Sequence, residues 1–553
     1  MRRHLKNGRK AGEKVLDKRA HSGRPVSLAD WFRIGLAANP DGLAIRDGRS
    51  EFSYRAVDRL ASSLAAEIRV TAPEAERVGI LMGRGAHAYI AVLAVSCAGA
   101  TAVPLNPEYP PARTRIMMES ANVGAIVADG ASLEQFRSRG VALEESVKVI
   151  RAEAENGQSP VIDAVVEKYV EKYPDAPARE YAYVVFTSGT TGKPKGVAVS
   201  SRGLSHYLES VHALYGFSSS DVFSQVADLT FDLSMLDLFS AWGAGATVVT
   251  TRPRDFLRLP RFITDHGISV WLSAPSIVAL LRRNGALEPG SLPTLRWTFF
   301  CGEPLLRQDA ADWQTAASHS AIENLYGLTE TPITCFSHRW DRDTSARLAV
   351  NDALPIGSPR HGYEVGVIAS PGTGQSHCPD LGEGEIEGEL CITGPHLFPG
   401  FLDPGDDRDR FLSVGGRRWY RTGDLVRRLP GREFAFIGRR DHQVKIRGRR
   451  VELAEVDGAL RSCEGVSEAV TILADEQLVA FYVGEPKSAG AMLRELAEIL
   501  PPYALPRRII RLPEFPLTHN RKIDRRALVL LAGTPSASPA PDTGRSAAGE
   551  RAR

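Results

Sequence analysis

A chain of 553 residues, 43% hydrophobic and 24% charged with a net charge of +2, is too long for one compact domain and gives no global charge reason to bind nucleic acid or an anionic membrane. The composition is that of an ordinary globular protein. Its six cysteines (Cys97, Cys301, Cys335, Cys378, Cys391 and Cys463) are widely spaced, which argues against a disulfide framework or a zinc site and predicts a reducing, cytoplasmic setting.

In chain order, residues 1–25 are strongly basic but lack the apolar core of a signal peptide, so they read as a disordered extension. Residues 57–70 have helical spacing, and 78–82 and 124–128 read as buried strands. Between them, 88–105 is almost wholly apolar. Its Ala, Gly and Ser content and the late Pro104 predict a buried helix running into a strand, not a membrane span. Next comes Tyr183-Val-Val-Phe-Thr-Ser-Gly-Thr-Thr-Gly-Lys-Pro-Lys-Gly196. An apolar β-branched run opens into a loop that offers backbone N–H, hydroxyl and ammonium donors together, which suits a ligand with many anionic oxygens. It is not a Walker loop, because Pro194 follows Lys193 and only two residues separate Gly189 from Gly192.

Helical stretches at 205–214 and 275–284 alternate with strand-like 246–250, 270–273 and 297–301, which predicts α/β layering with largely parallel sheets. From about 348 to 437 short strands and Gly/Pro turns predict a β-rich subdomain. After 437–441 a small α+β unit is expected, with helices at 453–460 and 489–500 and strands at 470–473 and 478–483. The basic run Arg439, Arg440, Lys445, Arg447, Arg449 and Arg450 has no interleaved aromatic platform, so no nucleic acid is expected there. The expected organisation is a basic extension (1–25), a large α/β core with its β-rich subdomain (26–437), a small mobile α+β domain (438–531) and a disordered tail (532–553).

The hydroxyl-rich loop resembles the phosphate loop of the adenylate-forming superfamily, which includes acyl-CoA synthetases, luciferases and nonribosomal peptide synthetase adenylation domains. Further signatures follow in that family's order: Phe231-Asp-Leu-Ser234, Asn324-Leu-Tyr-Gly-Leu-Thr-Glu330, Tyr420-Arg-Thr-Gly-Asp-Leu425, Gly438-Arg-Arg-Asp-His-Gln-Val-Lys-Ile-Arg-Gly448 and Pro516-Leu-Thr-His-Asn-Arg-Lys-Ile-Asp524. The resemblance spans roughly residues 28–531. It implies ATP and Mg2+, an acyl adenylate, and transfer to a thiol. Thr187, Ser188, Gly189, Thr190, Thr191 and Lys195 would grip phosphates. Asn324 and Tyr326 would meet adenine, with Thr329 near the α-phosphate and Glu330 as the magnesium ligand. Asp424 would accept the ribose hydroxyls, with Arg439 close to the nucleotide. Asp441 matches the hinge and Lys522 the lysine bridging carboxylate and α-phosphate. Lys445 and Gly448 match positions that approach the phosphopantetheine arm. Arg521 and Leu328 replace the family's usual glycine and proline.

Asp232 matches the carboxylate that binds a substrate ammonium in amino-acid-activating relatives. Alignment of the motifs places Leu233, Leu236, Ser273, Phe299, Cys301, Leu325, Ile333 and Thr334 around the substrate side chain, and none is charged. The Phe231-Asp-Leu-Ser and Phe300-Cys-Gly-Glu303 segments look especially like D-alanine:carrier-protein ligases. A small or medium neutral amino acid is expected: alanine first, then proline, glycine or a β-amino acid. An acyl- or aryl-CoA ligase is the alternative. With no carrier-like segment after the small domain, the expected acceptor is the phosphopantetheine of a discrete carrier protein. No membrane partner is expected.

Overall fold

The computed structural model describes residues 26–139, 143–144, 146–152, 179–188, 193–369, 379–382, 384–440, 443–485, 488–516 and 523–533. Gly189, Thr190, Thr191, Asp441 and Lys522 lie outside them, as do both predicted terminal extensions apart from Ala532 and Gly533.

Two sheets form the large layered part. The first is six-stranded, in the order Lys148–Arg151, Ala125–Ala128, Arg77–Leu81, Thr101–Leu105, Tyr181–Thr187, Lys195–Ser200. It is parallel except for its last pair, which flanks the hydroxyl-rich loop. The second is nine-stranded, with a parallel centre built from Trp297–Cys301, Val270–Ser273, Val222–Gln225 and Thr247–Thr250. Such strands are buried on both faces, which is why they read as unbroken apolar runs.

The helices Ala86–Cys97, Ser201–Tyr215 and Leu233–Ala244 share one large apolar cluster with strand residues from both sheets, including Ile80, Val185, Val248 and Phe299. The run predicted as a buried helix entering a strand is Ala86–Cys97 followed by Thr101–Leu105, every residue of that strand being buried. Ala86 and Ala88 to Val95 of the helix are buried, and among the described residues no helix is long and apolar enough to cross a membrane.

A five-stranded antiparallel sheet, Glu364–Ala369, Ile386–Thr393, Phe411–Val414, Arg417–Arg428 and Phe434–Arg439, is the predicted β-rich part. Beyond it, the hairpin Gln443–Ile446 and Arg449–Glu452 leads into the helix Leu453–Arg461. A three-stranded sheet (Val466–Ala474, Gln477–Gly484, Arg508–Arg511) and the helix Ala489–Ala497 complete a small α+β unit. Val451, Leu460, Leu478 and Leu496 meet in its core.

Candidate active site

The pocket wall is set by strand register. Leu272 pairs with Phe299 and Cys301 with Leu325, on parallel neighbours. These four, with Leu236 and Ile333, belong to the large apolar cluster, and half-buried Leu233 packs against it. Trp271, Phe300 and Ile322 belong to a second cluster on the opposite face of the sheet. Side chains alternate along a strand, so a one-residue slip exchanges faces. Ser273 therefore falls on the face of Trp271, whose Nε1 donates to Ser273 Oγ at 2.9 Å. This differs from the sequence assignment: Leu272, not Ser273, shares the face and cluster of Phe299, Cys301 and Leu325. The hydroxyl of Thr334 is shared with Tyr207 Oη at 2.8 Å, so the wall is more apolar than its composition suggests.

Asp232 stands at the entry to the helix Leu233–Ala244 and is 8% exposed. The Thr329 hydroxyl and the Ile333 backbone hydrogen-bond to its carboxylate, while Oδ2 has no partner. Burial, and then the charge of Glu330, push the carboxyl up to about 7. Ile333 has φ +63°, a strained value for a β-branched residue. Gly327 makes that turn possible, because a Cβ there would lie 2.3 Å from the Ile333 carbonyl oxygen.

On the nucleotide side, buried Asp424 is ion-paired with Arg439 and accepts a hydrogen bond from Tyr326 Oη. Asn324 Nδ2 donates to the Pro355 carbonyl at 2.7 Å. Thr187 ends its strand half-buried, in register with Lys195. Lys195 is expected at phosphate. Its ammonium lies 3.0 Å from Asp406 and over the Phe401 ring, so a carboxylate already holds it.

The hairpin of the small unit reaches into this centre. Lys445 and Arg450 are cross-strand partners, so their side chains share a face. Lys445 Nζ lies 5.8 Å from the Tyr326 ring centroid. The Gly448 N–H donates to Glu303 Oε1 at 2.7 Å, and a Cβ on Gly302 would come 3.1 Å from the Gly448 Cα. Ser188, expected at phosphate, instead donates to the Arg450 carbonyl at 3.2 Å and accepts from the Glu452 N–H at 3.0 Å.

Glu330 is fully buried, accepts from Tyr420 Oη at 2.9 Å, and pairs with Arg450 at 3.1 Å. Burial alone would raise its carboxyl; the Arg450 charge and the hydrogen bonds outweigh that and hold it below the ordinary value. Among the described residues no group of three or more His, Cys, Asp or Glu is placed to hold a metal. One carboxylate still fits Mg2+, which takes its other ligands from waters and substrate phosphates.

The AMP-binding enzyme family matches residues 32–402, more than half of the chain. The chain belongs to that family. It is an adenylate-forming enzyme whose relatives include nonribosomal peptide synthetases. It is 32% identical, over 91% of its length, to the probable non-canonical nonribosomal peptide synthetase CymA of Salinispora arenicola, and covers 6% of that protein. It is 32% identical, over 89% of its length, to the phosphinothricin tripeptide synthetase PhsC of Streptomyces viridochromogenes, and covers 44% of it. The chain thus spans less than half of these curated relatives. Among solved structures, IdnL7 is 41% identical with a TM-score of 0.67, covering 92% of this chain and 99% of its own. The Vibrio cholerae adenylation domain AlmE, solved with glycyl-adenosine-5'-phosphate, is 29% identical with a TM-score of 0.79, over 92% of this chain and 98% of its own.

The places of Leu272, Glu303, the Tyr420 hydroxyl and the partner of Arg450 carry no signal in the sequence of this adenylation enzyme. The arginine stood in a run of six similar cations, and only its pairing opposite Lys445 turns it into the site.

Proposed function

We propose that this enzyme uses ATP and Mg2+ to convert a small or medium neutral amino acid, alanine before others, to its aminoacyl adenylate. It then transfers the aminoacyl group to the phosphopantetheine thiol of a separate carrier protein. The observation that carries the amino-acid reading is Asp232, a buried carboxylate with an unpartnered oxygen beside an otherwise apolar wall. Burying such a charge is costly unless a cation arrives, and a substrate ammonium supplies one. The glycyl adenylate held by AlmE favours a small side chain here too. Proline, glycine and β-amino acids stand behind alanine, and an acyl- or aryl-CoA ligase has no use for Asp232.

Asp232 fixes the ammonium, and the apolar wall takes the side chain, so the substrate carboxylate is left facing the nucleotide. Asp424 receives the ribose hydroxyls once Arg439 and Tyr326 have oriented it. Lys522, Thr187 and the glycine-rich loop neutralise the carboxylate and phosphate oxygens as the carboxylate displaces pyrophosphate at the α-phosphorus. Glu330 would hold Mg2+, which would supply charge stabilisation to the phosphates. The small domain, 438–531, then turns about Asp441 against the core, 26–437. In this structure the hairpin of Lys445, Gly448 and Arg450 reaches into the centre, and there the thiol attacks the acyl carbon and AMP leaves.

Pyrophosphate exchange over a panel of amino acids, butyrate and benzoate tests the first half, and mass-spectrometric loading of a holo-carrier protein the second. A small neutral amino acid should be best. Butyrate or benzoate exceeding every amino acid would replace this reading with the CoA-ligase one.

A further inference from the structure

An internal cavity of about 10 Å3 is lined by Leu236, Phe299 and Leu325 together with Tyr207, Tyr215, Arg360 and the buried Asp237. That is room for about one water molecule. Arg360 follows the short strand Ser358–Pro359 and is 7% exposed. Its Nη2 donates to Tyr215 Oη at 2.7 Å, and its guanidinium carbon lies 5.8 and 5.5 Å from the ring centroids of Tyr207 and Tyr215. Nε and Nη1 have no hydrogen-bond partner. Tyr207, in turn, shares its hydroxyl with Thr334 on the wall. Thr334, Tyr207, Arg360 and Tyr215 thus form one connected row along this cavity.

Burying a guanidinium beside tyrosines, without a carboxylate in ion-pair contact among the described residues, is expensive, and an apolar side chain would fill the space more cheaply. Filling alone therefore does not account for Arg360. We propose that Arg360 sets the depth of the side-chain pocket and so limits the length of the amino acid activated; this rests on the amino-acid reading of Asp232. Two rings clamp the guanidinium, so it closes the pocket sterically. Its unpartnered N–H groups also oppose extension, because a longer aliphatic side chain would press hydrocarbon against them and exclude any water that serves them. The cavity is too small for a carboxylate, so Arg360 acts as a stop and not as a reader of acidic side chains.

The test compares kcat/KM in pyrophosphate exchange for alanine, 2-aminobutyrate, norvaline, leucine, aspartate and glutamate. Wild type, Arg360→Ala and Arg360→Met are measured, with KM for ATP as the control. Each methylene admitted to an apolar pocket is worth about tenfold or more. Arg360→Ala should therefore raise the norvaline-to-alanine ratio by about tenfold or more while KM for ATP stays put. Arg360→Met keeps the length and removes the charge, so it should move the ratio the same way by about threefold, and it decides the matter if the alanine variant does not fold. An unmoved ratio in a variant with wild-type KM for ATP overturns the inference, as does a wild-type preference for aspartate or glutamate. Wild type that activates butyrate over all amino acids fails the parent reading instead. Good activity on alanine with an unmoved ratio fails this one alone.

Discussion

Arg450 Nη1 lies 3.1 Å from Glu330 Oε1, tying the small C-terminal unit to the turn whose carboxylate would serve the cation. Glu330 is fully buried and the Arg450 side chain 16% exposed, so the pair is largely shielded from water. Removing one partner of such a pair costs about 3–5 kcal/mol, because the other charge is left uncompensated. The ion pair exists only while the hairpin is docked. Arg450→Ala should therefore weaken docking and lower carrier loading by about 100-fold or more, while pyrophosphate exchange stays within about tenfold of wild type. Single-turnover loading and exchange assays separate the two half-reactions, and equal loss in both would refute the docking role.

Asp232 gives a pH signature. Burial, and then the Glu330 charge, push its carboxyl up to about 7. Ammonium binding needs the ionised form, so KM for the amino acid should rise by about tenfold per pH unit below 7. Asp232→Asn should abolish that dependence and cost about 2–5 kcal/mol in amino-acid-dependent exchange. The stability effect has the opposite sense. A carboxyl raised in the folded state stabilises the protein at acid pH, and that contribution is lost as pH rises through about 7. The Asn variant without substrate should therefore melt higher than wild type at pH 8 and not at pH 4.

Leu272 and Ser273 are adjacent yet face different clusters. Leu272→Ala should enlarge the pocket and shift exchange toward bulkier side chains. Ser273→Ala should leave the preference untouched and cost about 1 kcal/mol of stability through the lost Trp271 hydrogen bond. Exchange panels and melting curves check both, and a selectivity change in Ser273→Ala would reverse the assignment.

Lys522→Ala should reduce pyrophosphate exchange by several orders of magnitude with little change in ATP affinity. Its charge matters most where carboxylate and phosphate oxygens converge in the transition state. Exchange within about tenfold of wild type, roughly 1.4 kcal/mol, would remove Lys522 from the reaction.

What this sequence determined by itself is local. The runs Val270–Ser273 and Trp297–Cys301 are strands with the bounds their apolar patterning predicts. The helix Ala86–Cys97 is buried as its uncharged composition requires. Asp232, Glu330 and Asp424 stand in motifs whose neighbours are chain neighbours, and that made them legible. Which face a strand residue takes was not legible at Leu272 and Ser273, because the choice turns on register with Phe299 on another strand. Nor was it legible that Asp406 would hold Lys195, that Glu330 would meet Arg450, or that Tyr207 and Tyr215 would clamp Arg360. Each of these pairings joins groups far apart along the chain. Coulombic attraction, ring contact and desolvation act on distance in space, and only the packed sheets and the docked hairpin set those distances.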